Sequence, residues 1–207
     1  MTAPSLPTGF DETRHVQAGR ADCHVTVGFD QQGAHIPRFL VQLHYQVVTG
    51  PVQWAVIARM DHNETSATGH DVYREGLHVD VARRSKKTVH LRLSHAPLPA
   101  NRGTVIRRCA EYLRQHADYF IDVYEERHHP GSAPNWQPDG GRSARGFISP
   151  NRVKAGMSQE SPATDALSLA ELSEELAEAT DTTAETIEDG AAELDIEPPA
   201  DATVVDE

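Results

Sequence analysis

Six residues between positions 61 and 80 are aspartate or histidine, the side chains that most often move protons or bind metal ions. Near neutral pH a histidine can take up or release a proton, and a neighbouring carboxylate can orient it and raise its basicity. We therefore predict a catalytic acid–base group in this stretch. Its candidate members are His78, His70, Asp80 and Asp61.

The same residue types also bind divalent metal ions. Candidate metal ligands are Asp61, His70, Asp71, His78 and Asp80. The sequence has no cysteine pair at zinc-site spacing, and no two histidines lie four residues apart before a third ligand. We therefore expect no cofactor, with a divalent metal ion as the open alternative.

Alternation along the predicted strands places these residues on one surface. His78 and Asp80 are two apart, so both side chains leave the same face of a strand. If the apolar residues between them face the core, the histidines and aspartate lie on the open face of the sheet. The same alternation adds His44, His90 and Arg92 to that face. The structural alternative is a solvent-exposed face that is rich in these residues and has no chemical role.

Basic residues are concentrated directly after the Asp/His stretch. Residues 81–110 contain eight lysines and arginines and no acidic residue. Such density is the electrostatic footprint of phosphate binding, and it predicts a nucleic-acid contact. The predicted contact residues are Arg83, Arg84, Lys86, Lys87 and Arg92. Alternatively, residues 83–87 form a charged, solvated hairpin tip that discourages edge pairing.

The elements that must hold these side chains are strands and one helix. Apolar and polar residues alternate in residues 25–29, 39–47, 52–60, 77–81 and 89–93, and short links favour antiparallel pairing. Residues 105–124 carry one continuous apolar face at helical spacing, and Asn101 can cap this helix. The pattern predicts an α+β fold: an antiparallel sheet of about five strands, covered on one face by a single long helix.

Charge divides the chain into two parts. Residues 1–150 hold fifteen acidic and seventeen basic residues, whereas residues 151–207 hold sixteen acidic and two basic residues. We predict a flexible leader at 1–20, the α+β domain at 21–130, a Gly/Pro-rich linker at 131–157 and an acidic, mostly disordered tail at 158–207. Within the tail, Ser168 and Glu171 match a capping box before a short amphipathic helix at 168–179.

Neither end of the chain nor its interior carries a membrane signal. No segment approaches the ~18–20 apolar residues of a membrane span, and the N-terminus lacks the features of a signal peptide. Two cysteines do not form a disulfide framework. These features predict a cytoplasmic protein without a membrane partner.

The three Asp/His groups resemble a family of uncharacterised small prokaryotic proteins that is frequent in halophilic archaea. The residues that carry the resemblance are Asp61-His62-Asn63, Gly69-His70-Asp71 and the run from Glu75 through Gly76, Leu77, His78 and Val79 to Asp80. It covers residues 39–127 and implies a few strands, an Asp/His-rich loop, a hairpin and a closing helix. A related group resembles the toxin half of toxin–antitoxin pairs. The family tends to have an acidic hairpin tip, whereas this chain has basic residues there.

Two functions fit these observations. The first is a nucleic-acid-directed protein, a toxin-like ribonuclease whose partner is RNA. The second is a non-enzymatic module that binds a small protein through the open sheet face or through residues 168–179.

Overall fold

Antiparallel strands build most of the molecule, and they follow one another along the chain. The computed structural model describes residues 3–47, 53–93, 97–131, 166–194 and 202–203. The consecutive strands are β1 (Glu12–Gln17), β2 (Cys23–Gln32), β3 (His35–Val47), β4 (Gln53–Asn63), β5 (His78–Val81) and β6 (Val89–Arg92). Two short strands complete the sheet: β7 (Ala166–Leu167) pairs parallel with β1, and β8 (Ala202–Thr203) pairs antiparallel with β6.

Within the described residues the sheet is therefore mixed, with eight strands in the order β7-β1-β2-β3-β4-β5-β6-β8. The α+β class is confirmed, but the prediction of about five antiparallel strands is wrong. The five predicted segments correspond to β2–β6, and the other three strands lack the pattern on which the prediction relied. β1 lies in the predicted leader and has one fully buried residue, Val16, while β7 and β8 have two residues each.

The core lies between one sheet face and the helices. Val79, Val81 and Leu91 of the sheet are completely buried, as are Val105 and Leu113 of the helical layer. The single long helix of the prediction is wrong, because the chain forms α2 (Arg102–Gln115) and α3 (Ala117–Tyr124). His116 separates them with ψ 19°, far from the helical value near −42°. The predicted cap is confirmed, since the Asn101 side chain accepts a hydrogen bond from Thr104 N.

The acidic tail is ordered over residues 166–194, so the prediction of a disordered tail is wrong there. It forms α4 (Leu169–Ala179) and α5 (Ala184–Glu193), which both pack on α2. The predicted capping box of Ser168 and Glu171 is confirmed at the start of α4. A further short helix, α1 (Val72–Glu75), follows β4. The predicted linker lies outside the described residues except for Gly131.

Close backbone approach fixes the two tail helices on α2. A Cβ atom at Gly103 would lie 3.0 Å from Ile187 Cδ1 and 3.2 Å from Leu176 Cβ, and one at Gly190 would lie 2.9 Å from Thr104 Cγ2. Glycine is unfavourable in the interior of a helix. Its role at these two positions is therefore to allow close packing of the helices.

Hydrogen bonds also join α2 to the tail helices. Arg107 Nε donates to Ser173 Oγ over 3.0 Å, and the buried Arg108 donates through Nε to the carbonyl of Leu194 over 3.1 Å. The apolar stripe of α4 is thus covered by the chain itself. Binding of a small protein through residues 168–179 stays a prediction, and it would require this helix to leave α2.

Truncation of the α4 stripe tests this packing. Leu176 is completely buried, so Leu176→Ala should lower the free energy of unfolding by about 2–5 kcal/mol through lost burial and a new cavity. Exposed Glu178→Ala on the same helix is the control and should change stability by less than about 0.5 kcal/mol. Urea denaturation measures both, and equal stability of the two variants would show that α4 is not docked in solution.

Candidate functional site

Strand register brings the predicted chemistry together on the face of the sheet opposite the helices. Arg59 of β4 pairs with Asp80 of β5, which in turn pairs with His90 of β6. Directly paired residues point to the same side, so these three form one row across the sheet. His78 pairs with Arg92 in the next row, beside Asp61 two residues along β4 from Arg59.

The carboxylate of Asp80 is the centre of this arrangement. Its Oδ1 hydrogen-bonds to His90 Nδ1 and lies 3.5 Å from His78 Nε2. Its Oδ2 accepts a hydrogen bond from Arg59 Nε over 2.9 Å. Only 5% of the Asp80 side chain is exposed, so the guanidinium compensates a carboxylate that has lost most of its water. We call His78, Asp80 and His90 the His/Asp cluster.

A further histidine, His70, borders the cluster. His70 contacts His78 edge to face, with ring centroids 3.9 Å apart. Burial lowers the pKa of His78, and the charge of His70 lowers it further, against the opposite effect of Asp80. His70 Nδ1 is 2.5 Å from Glu75 Oε2, while its buried Nε2 has no hydrogen-bond partner within the described residues. Burial and the charge of His70 thus favour the neutral imidazole of His78.

An open groove of about 700 Å³ lies against the cluster, between β4 and the β5–β6 hairpin. It begins where β4 is irregular: His44 pairs with Val56 and Leu43 with Ala58, which leaves Ile57 without a partner on β3. Val56 is consequently 37% exposed, although its neighbour Ile57 is buried. The groove is lined by Val56, Ile57, Ala58, Arg59, Asp80, Ala82, Lys87, Thr88 and His90.

The predicted nucleic-acid contacts divide into two groups. Arg84 pairs with Glu125 at 3.0 Å and Lys86 with Glu126 at 3.5 Å, so the hairpin tip is bound to the end of α3. Arg83 donates through Nε to the carbonyl of Lys87 over 2.6 Å. The two remaining residues are better placed: Lys87 lines the groove, and exposed Arg92 lies opposite His78. Nucleic-acid binding by the five residues stays a prediction.

Comparison with known proteins identifies a family for most of the described sheet and its first helices. Residues 11–130 match the model of a domain of unknown function, DUF7718. The chain belongs to this family. No curated protein and no solved structure matches it. Membership of an uncharacterised family is thereby confirmed, while the toxin-like character stays a prediction. Among the described residues, no helix of the chain has the length and apolar character needed to cross a membrane.

The DUF7718 domain does not bring every predicted residue to the cluster. Asp71 caps α1 by accepting from Tyr73 N, and it binds Arg74 at 3.2 Å. Asp61 lies 3.9 Å from Arg59 at the edge of the cluster and is 30% exposed. The predicted acid–base and metal roles of these residues stay predictions, but the site-forming partners of His78 and Asp80 are His90 and Arg59.

His90 and Arg59 were not among the predicted catalytic or metal-binding residues. Alternation had placed His90 on the right face, and its distance of ten residues from Asp80 fits a short hairpin. Alternation also places Arg59 on this face, between the core residues Ala58 and Met60, but only the pairing of β4 with β5 shows that it meets Asp80. Before Ile57 the irregular pairing reverses the alternation, so Trp54 shares the open face with His24, at a centroid distance of 6.1 Å.

His44 also lies on the open face of the sheet, as predicted. It belongs to β3, however, and is not part of the His/Asp cluster. It pairs with His24 and shares a hydrogen bond of 2.9 Å with Thr26 Oγ1. Burial lowers its pKa to about 4, and the charges of His24 and His15 act in the same direction. This histidine is neutral in the folded protein and belongs to the sheet rather than to the cluster.

Protonation of His44 should make stability depend on pH. Its folded pKa of about 4 lies below the unfolded value near 6.5, so the unfolded chain binds the extra proton between these values. Stability is full above pH ~6.5 and should fall toward pH ~4, by up to about 3 kcal/mol from this group.

Urea denaturation at several pH values measures the effect. His44→Gln removes this group and should flatten the curve in that interval. An unchanged slope in His44→Gln would contradict the assignment.

Proposed function

We propose that the protein is a hydrolase directed at nucleic acid, of the ribonuclease type, and that the His/Asp cluster is its active site. The observation that carries the proposal is the position of the cluster: Asp80 and His90 line an open groove together with two cations, Arg59 and Lys87. A volume of about 700 Å³ falls within the ~300–1,000 Å³ of small-molecule sites, which suits a short single-stranded segment.

Cations beside the cluster support phosphate as the bound group. Arg59 uses Nε and one terminal nitrogen on Asp80 Oδ2, and its remaining N–H groups can still donate to a phosphate oxygen. Lys87 lies on the same groove, and Arg92 continues the positive surface beyond His78. Arg84 and Lys86 contribute less in this proposal, because Glu125 and Glu126, directly after α3, already balance their charges.

Hydrolysis of a phosphodiester requires two proton movements. The attacking water loses a proton as its oxygen bonds to phosphorus, and the leaving oxygen gains one as the P–O bond breaks. His78, Asp80 and His90 are the groups that would take the proton from the water and give one to the leaving oxygen, with Arg59 holding Asp80 in place. His70 and Asp61 lie next to the cluster and act on the orientation and charge of His78.

Cleavage of a mixed RNA pool tests the proposal. Asp80→Asn and His90→Ala should each reduce the cleavage rate at least ~100-fold, the usual effect of removing a positioned proton-transfer group. Binding to RNA at low salt should persist in both variants. His35→Ala, a histidine replacement outside the groove, should cleave like the wild type. If expression of the wild type slows growth and Asp80→Asn relieves it, a toxin-like role gains support.

A wild-type protein that binds RNA without cleaving it would rule out the hydrolase. If it neither binds nor cleaves, the alternative remains: a non-enzymatic module that uses the sheet face to bind a protein.

Two neighbouring lysines separate phosphate binding from general charge. Lys87→Ala removes a groove cation, so affinity for single-stranded RNA should fall and the salt dependence of log K should become shallower by about 0.7 per lost contact. Lys86→Ala changes net charge equally but removes a side chain that does not line the groove. Fluorescence anisotropy over a salt series measures both. Equal slopes for the two variants would mean that the groove does not hold the phosphate.

A further inference from the structure

We propose that the His/Asp cluster is a binding site for one divalent ion of the zinc type, with His78, Asp80 and His90 as its three protein ligands. The potential ligand atoms, one from each side chain, all lie within 4.8 Å of one another. The inference deepens the proposed function by naming a cofactor for its site, but metal binding can be measured without any substrate.

The scaffold favours such a site. Asp80 and His90 are paired across the β5–β6 hairpin, and His78 is two residues before Asp80 on the same strand. Because neighbouring strands fix the separation of paired side chains, the three donors are held by backbone hydrogen bonds rather than by a loop. His78 and Asp80 already lie 3.5 Å apart, close to the separation of two ligands bound at ~2.0–2.1 Å to a tetrahedral ion.

Arg59 orients the carboxylate of Asp80, as residues that hydrogen-bond to a metal ligand commonly do. It binds Oδ2 of Asp80 through two nitrogens at 2.9 Å, so Oδ1 is the oxygen that faces the two histidines. Metal-bound carboxylates are commonly oriented in this way by a second hydrogen bond. The buried Nε2 of His70 adds a nitrogen without a partner among the described residues, beside His78, where water on an ion could donate to it.

The donor set selects the class of ion. Two imidazole nitrogens and one carboxylate oxygen suit Zn²⁺, Co²⁺ or Ni²⁺, whereas Mg²⁺ and Ca²⁺ prefer sites built from oxygen. Three protein ligands leave a fourth position for water, as in catalytic zinc sites. Here that position would lie on the side of the groove, since Asp80 and His90 both line it. His90 thus replaces Asp71, whose carboxylate is used to cap α1.

Cobalt provides a direct readout. The full chain, freed of metal with a chelator, is titrated with Co²⁺ and followed by visible absorption, and Zn²⁺ is titrated by calorimetry. We expect saturation at one ion per chain, intense d–d bands of a low-coordinate site, and displacement of Co²⁺ by Zn²⁺ but not by Mg²⁺. Absence of these bands and of Zn²⁺ heat in the wild type would overturn the proposal, as would competition by Mg²⁺.

Variants locate the ion. His90→Ala is the safest replacement because the side chain is 39% exposed, and it should weaken binding more than about 100-fold, beyond the ~10–100-fold loss expected for Arg59→Gln. His24→Ala, on the same sheet face, should bind like the wild type. Circular dichroism of the metal-free proteins first establishes that each variant is folded. Wild-type affinity in folded His90→Ala would also refute the site.

The two proposals fail separately. A protein that binds Co²⁺ at the cluster but leaves RNA intact retains the metal site and loses the ribonuclease. A protein that cleaves RNA after chelation and shows no Co²⁺ bands retains the ribonuclease and loses the metal site.

Discussion

The ion pair between Arg59 and the buried carboxylate of Asp80 is the interaction on which the candidate site depends. A carboxylate that is 5% exposed is costly unless a charged partner compensates it. Here the partner comes from the neighbouring strand, in direct cross-strand register. The pair therefore fixes β5 against β4 and orients one carboxylate oxygen toward His78 and His90. Loss of Arg59 would disturb both the β4–β5 pairing and the orientation of the cluster.

The groove beside this pair results from an irregular pairing of β3 with β4. An unpaired Ile57 shifts the face on which the earlier residues of β4 lie, so Val56 is exposed while Ala58 faces the core. β4 and β5 pair at Ala58 and Arg59. Next to this pairing, Ala82 N, directly after β5, donates a hydrogen bond to the carbonyl of Ile57. A bulge adds bend and twist to the strand that carries it, and the groove lies at this point, with Arg59, Lys87 and the cluster around it.

Sequence patterns predicted the parts of the molecule in which neighbouring residues determine the structure. The alternation in β2–β6, the Asn101 cap and the capping box of Ser168 all follow from interactions over a few residues. The shared face of His44, His78, Asp80, His90 and Arg92 follows from the same alternation. The missing parts depend on contacts outside the segment itself: β1 on its pairing with β2, and the tail helices on the outer surface of α2. Arg59 belongs to this second group, since only the register of β4 brings it to Asp80.

The residues after the family match close both ends of the sheet. β7 pairs with β1 at one end, and β8 pairs with β6 at the other. Unpaired edge strands are sites of aggregation, and natural sheets usually cover or charge them. A fragment of residues 11–130 would therefore expose two open edges and the apolar surface of α2 that α4 and α5 cover. The matched domain and the acidic C-terminal segment therefore share one sheet and one helical layer, and the segment shields surfaces that residues 11–130 alone would present to other molecules.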